Sequence, residues 1–121
     1  MITPLAPALV AAPLKGVEIL ILDAQTVDET VSTVVAPSSG IKNHTVTIKT
    51  SASVTGVVTV EIANDVAYAG TWYPLIAYDL STVTAAHEQL YQFSNIAITA
   101  LRVRISTVVA GGSVSASYLG N

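Results

Sequence analysis

The chain has 121 residues, enough for one domain and too few for two with separate cores. It has no cysteine, which excludes a disulfide framework, thiolate catalysis and a Cys-based zinc site; its net charge of −3 with five basic residues argues against nucleic acid as partner. Charged residues make up 11% of the chain, against about 25% in an average soluble domain, and hydrophobic residues 51% with a mean hydropathy of +0.61. Either a membrane or the surfaces of partner subunits must cover so apolar a chain.

Residues 1–16 read as an extended Pro/Ala-rich N-terminal arm. Pro4, Pro7 and Pro13 fix φ and disfavour helix at the residue before each, and the alanines between them show no strand pattern. The arm is apolar, with Ile2, Leu5, Leu9, Val10 and Leu14 and no charge before Lys15. Disordered tails are normally polar, so this one is expected to order against a neighbour. It lacks a basic n-region and is a poor signal peptide.

From residue 17 the composition shifts to Val, Ile and Thr, the β-branched signature of strands. Residues 17–22 form the longest strongly apolar stretch, but Glu18 interrupts it and it is far short of the ~20 residues of a spanning helix. Strands too few and too short, with no aromatic girdle, also argue against a β-barrel pore. Burial against other proteins is therefore the better account, with no membrane partner.

Residues 17–22 and 25–35 read as two strands broken at Asp23, and residues 37–40 as a Pro-Ser-Ser-Gly turn. Residues 44–51 alternate cleanly, with Val46 and Ile48 on one face and Thr45, Thr47 and Lys49 on the other. Residues 53–56 turn, and 57–63 follow with Val58, Val60 and Ile62 on one face. After a loop over 64–70, residues 71–77 form a strand in which Pro74 marks an edge or a bulge, because proline cannot donate to a ladder. Residues 79–88, the most helix-tolerant window, read as loop with room for one helical turn, and 89–93 as a short strand. Residues 100–107 show the strongest alternation, with Leu101, Val103 and Ile105 inward and Arg102 and Arg104 outward. Ala110, Gly111 and Gly112 suggest a hairpin into a last strand over 113–119. The fold class is all-β: a single antiparallel sandwich of about eight strands, jelly-roll-like, spanning residues 17–121 behind the arm.

No catalytic constellation stands out. His44 and His87 are the two side chains suited to neutral-pH base work; no G-x-S-x-G elbow accompanies them, and both read as surface histidines. Asn64 with Asp65, and Asp28 with Glu29, read as turn residues rather than metal ligands. No catalytic, cofactor or metal site is expected, and no cofactor. Tyr68, Trp72, Tyr73 and Tyr78 could form a glycan-stacking platform or serve as core and interface anchors; Trp72, on one face with Pro74 and Ile76, is expected to be buried. Arg102 and Arg104 flank Val103 with no acid between them, which suggests acids supplied across a subunit boundary.

Three stretches carry a resemblance: V-T-V-E-I-A-N-D-V-A-Y-A-G-T-W-Y-P-L (Val58 to Leu75), I-T-A-L-R-V-R-I-S (Ile98 to Ser106) and the terminal G-G-S-V-S-A-S-Y-L-G-N. From residue 53 onward the chain resembles small β-sandwich virion proteins of tailed phages, a layout also found in discoidin-like and carbohydrate-binding sandwiches. The arm in front resembles those with which capsid decoration, or cement, proteins tie shell subunits together. In place of the loop S-x-D-G-x-W that such proteins often carry, this chain has Asn64-Asp65 and a longer insertion over 66–70. The resemblance implies a structural virion protein at the capsid surface, with the major capsid protein or another virion protein as partner, and a homo-oligomer, a trimer by expectation. Ile2, Leu5, Leu9, Val10, Leu14, Tyr73, Arg102 and Arg104 are the expected partner-binding residues. A tail or head–tail connector component and a carbohydrate-binding module are the alternatives.

Overall fold

A computed structural model describes residues 10–12, 15–38, 40–64, 71–82 and 85–121. Nine strands run in chain order: β1 (Val10–Ala11), β2 (Glu18–Gln25), β3 (Val34–Val35), β4 (His44–Thr50), β5 (Thr55–Ala63), β6 (Tyr73–Asp79), β7 (His87–Phe93), β8 (Ala100–Ala110) and β9 (Val114–Gly120), with a 3-10 turn at Leu80–Thr82. They make two sheets, ordered β1-β3-β8-β5-β6 and β2-β9-β4-β7. Every pairing is antiparallel except the short β1–β3 pair. Apart from β5 to β6, each connection from β2 onward passes from one sheet to the other. Two four-stranded sheets wound in this order, with β1 added at an edge, are a jelly roll.

The alternation seen in the sequence drives the packing. Val58, Val60, Leu101, Val103 and Ile105 of one sheet face Val46, Ile48, Val114, Ala116 and Tyr118 of the other, all nearly out of water. Fully burying a Val, Leu or Ile side chain stabilises by roughly 1.5–3 kcal/mol. No helix is needed, because each sheet buries the inner face of the other.

Three sequence expectations give way here. Residues 25–35 do not form one strand. The segment runs along β8, with Glu29 N donating to Ile105 O at 2.7 Å and Ser32 N to Val103 O at 2.8 Å. The left-handed backbone of Glu29 (φ 64°) and the hydroxyl of Ser32, which accepts from Val103 N at 2.8 Å, break the ladder until Val34. The glycines at 111 and 112 do not close a hairpin, since β8 and β9 lie in different sheets. Gly111 (φ 93°) turns the chain across the sandwich so tightly that a Cβ there would stand 2.8 Å from Ser53 O. The arm boundary at residue 16 also shifts: Val10 and Ala11 pair in parallel with Val34 and Val35, and Gly16 N donates to Gly120 O at 2.7 Å. The alanines hid this strand, because a two-residue edge pairing needs backbone and not alternation. Ile2, Leu5, Leu9 and Leu14 lie outside the described residues.

Pro74 meets its expectation. Strand β6 is an edge, and the β5–β6 register shifts between Val60 and Glu61, so that Pro74 pairs with Glu61 and Ile76 with Val60. The bulge sends Pro74 and Ile76 to opposite faces, against simple alternation.

Candidate interaction surface

Part of the outer face of the β1-β3-β8-β5-β6 sheet is covered by the protein's own side chains. Glu61 on β5 stands beside Arg102 and Arg104 on β8, because Thr59, Glu61 and Ala63 point away from the core opposite Arg104, Arg102 and Ala100. Its Oε1 accepts from Arg102 Nε at 2.9 Å and its Oε2 from Arg104 Nε at 3.0 Å. Arg104 Nη1 also donates to Glu29 at 2.9 Å. The Glu61 side chain is only 5% exposed, while Glu29 is 69% exposed. Burial works against the charge of Arg104, but the hydrogen bonds and charges of Glu61 and Glu29 outweigh it and hold its pKa above the ordinary value.

Trp72 covers this array, with the Arg102 guanidinium 4.2 Å from its ring centroid. It is buried, as its sequence position suggests, yet in a small cluster with Val34, Ala63 and Ala100 outside the main core. The acids expected from a neighbouring subunit are thus Glu61 and Glu29 of the same chain. Sequence inspection missed them because residues 61 and 102 become neighbours only through the β5–β8 register.

Of the aromatic set, Tyr73 is 60% exposed. Tyr78 packs edge-on against Tyr91 at 5.8 Å, and Tyr68 lies outside the described residues. Trp72, Tyr73 and Tyr78 do not form an exposed stacking platform.

His44 is a second correction. It is 1% exposed, not a surface residue. Its Nε2 lies 3.0 Å from Ile96 O and its Nδ1 2.6 Å from the Tyr118 hydroxyl. A carbonyl only accepts, so Nε2 carries the proton and Nδ1 accepts from Tyr118. Burial lowers the imidazole pKa below 6.5, partly opposed by the bond to Ile96, and pushes the Tyr118 phenol up to about 12. Alternation put His44 on the Val46 and Ile48 face; its type suggested solvent, and its position was the better guide. The neutral pair can hold a corner together; Tyr118 and Ile96 occupy both ring nitrogens, and among the described residues no carboxylate bonds to the imidazole. His87, by contrast, is exposed at the start of β7. No group of three or more His, Cys, Asp or Glu side chains able to hold a metal converges among the described residues.

The outer face of the β2-β9-β4-β7 sheet is different in kind. Registers align Leu20, Ser117, Thr47 and Leu90 in one row across the four strands, and Glu18, Leu119, Thr45 and Gln92 in the next. Leu20 is 60% and Leu90 53% exposed. On the middle strands Thr45, Thr47, Ser115 and Ser117 carry short hydroxyl side chains, with Leu119 at one end of this face and Lys49 at the other, where it pairs with exposed Glu88 at 3.9 Å. Ser117 Oγ is out of water and has no hydrogen-bond partner among the described residues. An unpaired buried hydroxyl costs about 1–3 kcal/mol.

Two shallow grooves lie at the margins. One, about 290 Å³, runs between Ile21–Gln25 of β2 and Thr30–Thr33; the other, about 470 Å³, is lined by Ala36–Ser38, Ile41 and Ala97–Thr99. Neither gathers titratable groups able to act together.

No family model matches the chain, and no curated protein matches it. Among solved structures it is similar to a chain from the Bacillus endospore appendages, a family of disulfide-linked pili, at 13% identity over 96% of each chain with a TM-score of 0.40. A likeness at that level says nothing of what this protein does.

Proposed function

We propose that the chain is a non-catalytic structural protein that binds other protein surfaces within an assembly. The assembly is the shell of a tailed phage particle, where the chain acts as a capsid decoration protein. The outer face of the β2-β9-β4-β7 sheet carries this reading. Its central row sets two exposed leucines around nearly buried hydroxyls, with the charged Glu18, Lys49 and Glu88 in the rows on either side. The jelly roll, an architecture used by viral capsid and lectin domains alike, is compatible with it. The phage setting rests on the sequence resemblance over residues 53–121. The lectin-like alternative loses support because Trp72 is buried against Arg102 and Tyr78 packs on Tyr91.

Quantitative mass spectrometry of particles purified from a culture carrying this coding sequence tests the proposal. Decoration predicts a copy number comparable to that of the major shell protein. A few copies per particle would assign the chain to a tail or connector instead. Its absence from particles, together with retention on a glycan array, would overturn the reading.

A further inference from the structure

We infer that the outer face of the β2-β9-β4-β7 sheet binds a second copy of this chain, forming a twofold dimer. The inference rests on the reading of the chain as an interaction protein but not on the phage setting.

The face matches itself. A closed dimer of identical subunits buries the same patch on both, so the patch must be self-complementary. Consider a twofold axis lying in the plane between two facing sheets and running along the strands, midway between β9 and β4. It sets β2 against the partner's β7, and β9 against the partner's β4. On the central row it opposes Leu20 to the second copy's Leu90 and Ser117 to the second copy's Thr47, each twice. The exposed leucines meet across the axis. On the next row Glu18 faces Gln92, and at the other end Lys49 faces Ser115. Asp23, on the β2 bulge, approaches Glu88, whose charge the adjacent Lys49 offsets. An axis across the strands instead sets Glu18 near Asp23 twice with no cation beside either, and like charges disfavour that docking.

Area sets the strength. Four strands about 4.8 Å apart and seven residues at about 3.3 Å give a footprint of roughly 440 Å² per copy. With side-chain relief, two such faces bury on the order of 1,000 Å² together, the low end for a specific interface. The dimer is therefore reversible and visible in its concentration dependence.

Sedimentation velocity from about 1 µM to about 1 mM tests this on the full chain, with circular dichroism to verify folding. The mass of the parent should rise from 12.5 kDa toward twice that value. Leu20→Lys and Leu90→Glu should each weaken association by at least about tenfold, while Val108→Glu, also at an exposed apolar position but on β8, should leave it intact. Because Leu20 of one copy faces Leu90 of the other, mixing Leu20→Lys with Leu90→Glu should restore a mixed dimer through one new ion pair. A chain monomeric throughout, a trimer indifferent to both leucine changes, or variants that do not rescue one another would overturn the inference. The particle measurement stands apart: a chain absent from particles that still dimerises through this face leaves the inference standing.

Discussion

Replacing Glu61 by Gln keeps the side-chain shape and removes the charge that two arginines share. The amide oxygen can accept from one guanidinium, but the amide nitrogen then faces the other donor to donor. One charge-assisted bond is lost and the other becomes an ordinary one, each originally worth about 1.5–3 kcal/mol. Arg104 keeps Glu29, whereas Arg102 keeps the face of Trp72. Both arginine side chains retain some exposure, 19% and 24%, so partial rehydration holds the loss near the lower end of the 3–5 kcal/mol typical of a broken buried pair. The expectation is about 3 kcal/mol. Unfolding entropy of about 2.1 cal/mol/K per residue gives about 0.25 kcal/mol/K for this chain, so Tm should fall by about 12 °C. Glu29→Gln, at an exposed partner, should cost under about 1 kcal/mol. Urea and thermal melts of both variants at neutral pH, in low and high salt, make the comparison. The Glu61→Gln loss should persist in salt because the pair is largely out of water. If the two variants lose equal stability, or Glu61→Gln loses less than about 1 kcal/mol, the array does not hold the outer face as argued.

The buried His44 makes stability pH-dependent. Its folded pKa lies below 6.5, so the unfolded chain takes up a proton that the folded imidazole refuses. This contribution is complete above pH 6.5 and is lost as pH falls from there through the folded value, which urea midpoints across that range will register. His44→Gln should cost about 1–3 kcal/mol by leaving Tyr118 or Ile96 without its partner and should flatten that acid limb; His87→Gln should stay within about 0.5 kcal/mol of the parent. Tyr118 gives the opposite limb: its phenol, raised from 10.0 to about 12, contributes stability that is complete below pH 10 and lost as pH climbs toward 12, a loss of about 3 kcal/mol. Gly56→Ala should cost more than about 1 kcal/mol, since φ is 125° and the new Cβ would stand 2.8 Å from Val108 O. Gly40→Ala, with open space around it, should be close to neutral in the same melts.

Period-two alternation was enough to read the sandwich from the chain alone. Val46 with Ile48, Val58 with Val60, and Leu101 with Val103 and Ile105 each announce a strand with one buried face, and Pro74 announces its edge. Burying those faces requires only that two sheets meet, and alternation is a local property that the sequence carries in full. What alternation does not specify is which strand lies beside which. Pairing Glu61 with Arg102 and Arg104, seating His44 against Tyr118, and aligning Leu20 with Leu90 across two intervening strands all join residues more than 40 positions apart. Those neighbours are set by strand order and register. These in turn depend on where the chain crosses between sheets, on the left-handed Glu29, on the Gly111 corner and on the β6 bulge. Such backbone features answer to the packing of the whole sandwich, so the array, the buried histidine and the leucine row became visible only once both sheets were assembled.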